Sequence, residues 1–552
     1  KNCMVNLTFS YVLLIIIACA CLALSIISAI YVLVYWSVKE EVWRTMLPRI
    51  LICLGLTIIY FIPLIIPIDV SLAYLAPELT FMTVVWQVLT YCVMGFSVVV
   101  FPFILFCMEQ RLDHQKSWFA TTVCSLGQTL IAVGVILLLA VILYFAIKVA
   151  EISIVTYTSP VIAGLSNLLP LADQTVTNVN VVQQTSTFAQ IDIPLSFTNF
   201  LIGTFSFVGS LLFTIFFGIG LAALPLDWIN QFRKRPRVMA RSDLLKFRQK
   251  FARKSEALLK EVDEIYDRLS HANYQGDKHA MVMDIEQNDR KKLFKKQSKL
   301  EKRYEMLSRE TRQIYDIYQE VILMNQKETA NPLRYFLKLL IGILSLLFSL
   351  LLFAQLIVIM IDQFASGIFS KIGLGDIYFL GALLKMAQSA VSVPLISTLL
   401  FALISLYVTF CFTKGVTKFG FRFIMFVPIH EMRIGATELN SFIFNVLLMC
   451  TGILPELQFL TFLVKDFSYG SGVGLLFSDA VSNIKYIKQW FSYYIVVMNI
   501  IFVLTIFYLM LCPGEDVHDS LQKMLSDEQL KANDDIKKQA NGIKMKSYTA
   551  QK

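Results

Sequence analysis

Residues Thr121–Ile147 read TTVCSLGQTLIAVGVILLLAVILYFAI, a stretch without a single charged side chain. About 20 consecutive apolar residues are enough for a helix to cross the hydrocarbon core of a bilayer. A membrane β-strand would instead alternate polar and apolar residues over ~10 positions. Here Leu137, Leu138 and Leu139 follow one another directly, so the reading is a membrane-spanning helix.

Eight further runs of the same kind flank it. They lie near Tyr11–Trp36, Ile50–Pro67, Phe81–Cys107, Asn199–Leu224, Tyr335–Ile361, Ala390–Phe412, Ser441–Leu463 and Phe491–Leu511. Tyr11–Trp36 is too long for the apolar core of a signal peptide and has no small-residue cleavage pattern after it, so it is read as a retained span. The whole chain agrees: 56% of its residues are hydrophobic and 16% charged, against about 25% charged in soluble domains. Its mean hydropathy is +0.64. The expected fold is an all-α polytopic bundle of about nine transmembrane helices carrying a cytoplasmic coiled-coil hairpin.

Four regions follow. Residues 1–225 form a five-span membrane region, and 226–334 form a basic insertion. A four-span region, 335–512, comes next, followed by a tail at 513–552. Between Leu226 and Arg334 the insertion holds 25 Lys and Arg against 17 Asp and Glu, which accounts for nearly all of the chain's +9. Its second half repeats Leu293, Leu300, Leu307, Ile314 and Val321 every seven residues, with Tyr304, Thr311 and Tyr318 between them. This is a coiled-coil stripe. Leu258–Leu269 is the nearest partner stripe, returned through a polar tip around Gly276; pairing between two chains is the competing use.

Loop charge sets the orientation. Lys39, Arg44 and Arg49 follow the first run, and Arg111 and Lys116 the third, whereas Asp69–Thr80 and Glu151–Phe197 contain neither Lys nor Arg. Positive loops stay in the cytoplasm. The N-terminus is therefore expected outside or in a lumen, and the C-terminus in the cytoplasm. The membrane is the plasma membrane or an endomembrane such as that of the lysosome, vacuole or endoplasmic reticulum. Arg233, Lys234, Arg235 and Arg237 leave the fifth run together, and such a cluster is expected to contact anionic lipid headgroups.

No catalytic constellation emerges, and the expectation is a protein that is not an enzyme. His114, His271, His279, His430 and His518 fall in loops or tails without metal-ligand spacing, and no metal or other cofactor is expected. Gly218 and Gly220 lie inside a span with no Walker lysine following, so they read as close helix packing through small residues. Ten cysteines suggest no disulfide framework; Cys107, Cys411 and Cys512, near cytoplasmic ends, are candidates for acylation beside the plainer reading as free thiols. Gln87, Gln128, Gln355, Asn445 and Asn499 are the intramembrane polar candidates, most simply bonded from helix to helix. Asp69, Glu151, Asp362 and Glu456 fall near outer ends of spans, where a carboxylate can stay hydrated. Pro455 and Glu456 suggest a kink or break in the eighth span.

Several motifs then carry a resemblance. They are Pro67-Ile68-Asp69-Val70, the stretch Gly209–Phe216 continuing through Gly218-Ile219-Gly220 to Leu224-Pro225-Leu226, Ile429-His430, Gly435-Ala436-Thr437, Asn440–Val446 with Asn445 inside it, and Ile484-Lys485-Tyr486. In order and topological position they resemble the limb-region and lipocalin-interacting membrane receptor family, in its plant and protist branch. The resemblance runs along nearly all of the chain and implies nine spans, an outside N-terminus and a cytoplasmic coiled-coil loop. Asp227 departs from it, standing where an uncharged residue is expected. Members of that family are described as lipocalin receptors, as accessory proteins in lysosomal cobalamin export and as modulators of signalling. The expectation for this chain is a receptor or adaptor whose spans bind a lipophilic ligand or partner helices, while its insertion recruits cytoplasmic proteins. The alternatives are a transporter or transport-accessory protein for a lipophilic or vitamin-like substrate, and a structural subunit of a membrane assembly. Membrane lipids and proteins are the expected partners, and nucleic acid is not.

Overall fold

The computed structural model describes residues 2–37, 46–75, 81–111, 118–147, 149–157, 186–233, seven positions between 249 and 264, and residues 332–364, 378–390, 395–419, 422–423, 427–428, 432, 437–485 and 487–511. Among them nine helices are long and apolar enough to cross a membrane: Val12–Trp36, Met46–Tyr74, Phe81–Gln110, Phe119–Ile147, Phe197–Arg233, Leu333–Phe364, Ile396–Phe419, Leu439–Leu463 and Ile487–Leu511. The protein is an all-α polytopic membrane protein, as the hydropathy predicts. We number these spans first to ninth.

The chain divides into two compact units. The first comprises Lys1–Leu226 and Leu344–Met510, and the second Asp227–Ile343 and Leu511–Lys552. Within the second unit, the described positions Gln249, Ala252, Arg253, Glu256, Lys260, Asp263 and Glu264 are helical and exposed at three- to four-residue spacing, and Glu256 and Lys260 form an ion pair at 3.0 Å. The heptad stripe from Leu293 to Val321 lies outside the described residues, as do Lys234, Arg235, Arg237, His430 and Gly435.

In the first unit the eighth span is the most enclosed, with 83% of its most apolar window buried. Prolines inside the spans do not end them. The second span holds Pro63 and Pro67 and its helix runs on to Leu75, the fifth holds Pro225, and the eighth holds Pro455 without a break. Proline removes the amide that would bond the carbonyl four residues earlier, and in lipid that carbonyl has no water to turn to. Neighbouring serines fill two such gaps. Ser405 Oγ donates to Pro63 O at 2.6 Å, opposite Pro67, and Ser349 Oγ donates to Leu221 O at 2.8 Å, opposite Pro225. In the third span a π-helical turn, Phe96–Val100, ends two residues before Pro102 and lets the helix pass a residue that cannot donate.

Two sequence expectations change here. The second span does not end at Pro67, so Asp69 lies inside a helix rather than in a hydrated loop, with 1% of its surface exposed. Glu456 is buried as well, facing Thr409 of the seventh span rather than water. Sequence reading placed both by their charge, whereas the second helix runs on past Pro67, with Ser405 donating to Pro63 O, and the eighth runs on through Pro455. Cys411 is also fully buried, which closes that thiol to acylation.

An antiparallel hairpin, β1 (Val149–Tyr157) and β2 (Ser186–Pro194), joins the fourth span to the fifth. It is tied to the chain just before the ninth span: Glu151 N donates to Asn483 O at 2.9 Å, and Lys485 N to Val149 O at 3.1 Å. Lys485 Nζ also lies 3.0 Å from Glu151 Oε1.

Candidate functional site

The segment between the eighth and ninth spans folds back as a short helix, Lys465–Ser468, then a turn through Gly470 (φ 80°), then a helical stretch from Gly472 whose π-helical part is Gly474–Val481. Its amino end meets Asp69. Val473 N donates to Asp69 Oδ2 at 2.8 Å and Gly472 N to Oδ1 at 3.3 Å, while Trp86 Nε1 of the third span donates to Oδ2 at 2.8 Å. Helix amino ends carry unpaired N–H groups and a partial positive charge. A buried carboxylate supplied from another helix is their complement, so Asp69 joins the second span, the third span and the returning segment.

A second group of polar contacts runs beside it. Ser71 and Thr398 bond through their hydroxyls. Thr409 Oγ1 lies 2.5 Å from Glu456 Oε1 and 3.0 Å from Ser405 O, and Glu456 Oε2 has no partner among the described residues. The hydroxyls of Tyr407 and Ser349 are 2.5 Å apart, and Tyr407 also donates to Ser345 O at 2.8 Å. Gln458 accepts from Ser206 at 2.9 Å and donates to Ser482 at 2.8 Å.

The amides singled out in the sequence behave differently from one another. Gln355 Nε2 caps Leu463 O at the end of the eighth span at 2.8 Å, and its Oε1 accepts Leu380 N at 3.3 Å. Gln128 accepts from Gln110 of the third span at 2.8 Å. Asn445 donates to Ser441 O of its own helix at 2.7 Å, so that bond joins no two spans. Asn499 is 6% exposed, and neither polar atom of its amide has a partner among the described residues. Gln87 is half-buried, as is Asn440; Arg233 ends the fifth helix.

The paired glycines pack as their spacing predicts, and each serves a different neighbour. A side chain at Gly218 would press on Met498 O and Ile501 of the ninth span at 3.0–3.1 Å. One at Gly220 would strike Cys411 O of the seventh, while one at Gly415 would strike Phe216 O in return. Gly209 lies against Thr451 O, the carbonyl that Pro455 leaves without its helical donor.

Trp86, Tyr407, Ser349, Ser405 and Gln458 carried no sequence signal, because an isolated hydroxyl or indole in an apolar run looks like ordinary filling. Pro67, Asp69, Gly218, Gly220 and Pro225, picked out by resemblance, all stand at contacts between spans. The arrangement is suited to holding helices in register. Among the described residues no group of three or more His, Cys, Asp and Glu is placed to hold a metal ion.

Comparison with known proteins adds the following. The family model described as LMBR1-like membrane protein matches residues 13–512. A LIMR family protein of Dictyostelium discoideum is 24% identical, covering 91% of this chain and 98% of that protein. One from Arabidopsis thaliana is 25% identical over 87% of this chain and 92% of its own length. A third, from Oryza sativa subsp. japonica, is 22% identical over 90% and 95%. No solved structure matches.

Proposed function

The chain belongs to the LMBR1-like membrane protein family, and from that membership we propose that it is a non-enzymatic multi-pass receptor or adaptor. Its spans bind a lipophilic ligand or partner helices, and its basic insertion recruits cytoplasmic proteins. The observation that supports this is where polar and apolar surfaces lie. Carbonyls freed by Pro67 and Pro225 and the carboxylate of Asp69 are matched helix to helix inside, whereas only 6% of the fourth span's most apolar window and 17% of the first's are buried. Such a molecule offers binding surface to the bilayer rather than a path through its centre. In this reading the N-terminus is outside or lumenal, and Arg233, Lys234, Arg235 and Arg237 rest on anionic headgroups of the cytoplasmic leaflet.

One observation favours transport or transport accessory work as a second reading. Glu456 has an oxygen without a partner among the described residues, at zero exposure within the eighth span, and ionisable groups inside a membrane commonly mark substrate or ion pathways.

Purifying the full chain in mild detergent and identifying lipids and proteins together tests the leading reading. A discrete lipophile or a cytoplasmic partner is expected to stay with it in fixed proportion. Recovery of the chain with neither, at preserved monodispersity, would overturn it.

A further inference from the structure

Among the described residues the fourth span is held toward both ends and exposed over a short stretch between them. Toward its start Thr121, Ser125 and Thr129 are buried and Gln128 bonds Gln110. Toward its end Ala140 is buried, and Tyr144 Oη donates to Leu195 O at 3.0 Å with its ring edge-on to Phe197 and Phe200. In the interval, the six consecutive residues Gly134 to Leu139 are all exposed. A Cβ at Gly134 would meet nothing within 4 Å among the described residues. Successive helical residues turn by about 100°, so six in a row point in every direction around the axis. Among the described residues the helix is therefore exposed on every side here, including the side toward the bundle.

On the stripe that docks the helix, Ser125, Thr129 and Ala140 are buried and Ala132 and Val133 half-buried. Yet Ile136 on the same stripe and Leu137 at its flank are 48% and 44% exposed. Phe200 of the fifth span receives the Tyr144 ring. Farther along that face Val208, Leu211 and Ile215 are 50%, 40% and 38% exposed. Every side chain from Leu130 to Ile142 is apolar or glycine. The result is a window in the membrane region, bounded by half-buried Val133 and by Ala140, and about 10 Å long at 1.5 Å per residue.

A bilayer leaves no such space empty, and its dimensions select the occupant. A partner helix crossing the membrane needs about 30 Å of free length, roughly three times what this window allows between its ends. A flexible hydrocarbon chain entering from the side needs no such length and asks for no hydrogen bond. We propose that the window between the fourth and fifth spans is a binding site for the acyl chain of a membrane lipid. The proposal deepens the receptor reading and rests on it for the idea that a lipophile is this protein's ligand.

The test uses the full chain in phosphatidylcholine nanodiscs containing a phosphatidylcholine with a diazirine on one acyl tail. After illumination, adducts are mapped by mass spectrometry. Adducts at Ile136 and Leu137 are expected to exceed those at Ile27 of the first span, which is 65% exposed and serves as the reference for ordinary surrounding lipid. Val133→Trp and, separately, Ile136→Trp should fill the window. Each is expected to lower labelling at Leu137 about tenfold, equivalent to ~1.4 kcal/mol of lost binding, while Ile131 on the outer face keeps its labelling. Two variants are used so that a fault in folding, visible as lost monodispersity, does not decide the outcome alone. Labelling at Leu137 no higher than at Ile27, or unchanged in both folded variants, would overturn the site. So would a cross-link from this position to another protein, which would assign the window to a partner helix. A lipid retained in fixed proportion but labelled elsewhere defeats the window and leaves the receptor reading standing; no retained lipophile and no partner defeats that reading.

Discussion

Gly220→Leu is expected to abolish recovery of a folded, monodisperse protein, and Gly220→Ala to lower its apparent unfolding temperature sharply. At Gly220 even a Cβ would collide with the backbone carbonyl of Cys411, and at Gly415 with that of Phe216. Backbone cannot rotate aside as a flexible side chain can, so the fifth and seventh spans must separate along the whole crossing. Overpacking of a filled core costs about 1–3 kcal/mol and sometimes more, and a backbone collision belongs at the upper end. Gly415→Ala should do the same. The double variant should be less damaging than the sum of the two, because helices already forced apart admit the second methyl. Gly134→Ala, in open space on the fourth span, is the control. It should leave stability unchanged or raise it by up to about 1 kcal/mol, the helix-propensity gain of Ala over Gly. Unfolding followed by size-exclusion chromatography after heating reads all of these; equal melting of the Gly220→Ala and Gly134→Ala variants would contradict the crossing.

The second large effect is expected at Asp69. Asp69→Ala removes the acceptor for three donors at once: Trp86 Nε1, Gly472 N and Val473 N. Each unsatisfied buried donor costs about 1–3 kcal/mol, so the contact between the second span and the returning segment should be lost well before the bundle itself. Asp69→Asn keeps one carbonyl oxygen but turns an amide toward N–H groups, and should fall between. Trp86→Phe keeps most of the ring and removes one bond, so it should be the mildest. Hydrogen–deuterium exchange of residues 472–481 is the direct readout. In Asp69→Ala it should rise by at least about tenfold, the factor that ~1.4 kcal/mol corresponds to, while residues 442–453 stay protected. Unchanged exchange at residues 472–481 would show that Asp69 does not hold this segment.

The spans themselves were legible because hydropathy over a long window is a local property of the chain. Gly218 and Gly220 were also legible, since small residues two apart in an apolar run have few uses other than close approach. What stayed hidden depends on distant partners. Pro67 reads as a stop because proline breaks a helical bond; it is not a stop here because Ser405, more than 300 residues later in the chain, supplies a donor to Pro63 O. Asp69 and Glu456 read as edge residues because a charge in lipid is costly. They are interior because Gly472, Val473 and Trp86 meet one and Thr409 meets the other. The window behind the fourth span could not be read at all, since Gly134–Leu139 has the same composition whether it packs or stands free.

The nine-span architecture is tested most directly by placing two features of the chain on opposite sides of the membrane. Small tags inserted at Gln174, between the fourth and fifth spans, and at Gly276, between the fifth and sixth, would be probed in intact and in permeabilised cells. With one span separating them, the account predicts that the Gln174 tag is reached by antibody from outside or from a lumen, and the Gly276 tag only from the cytoplasm. Detection of both tags from the same side would contradict it.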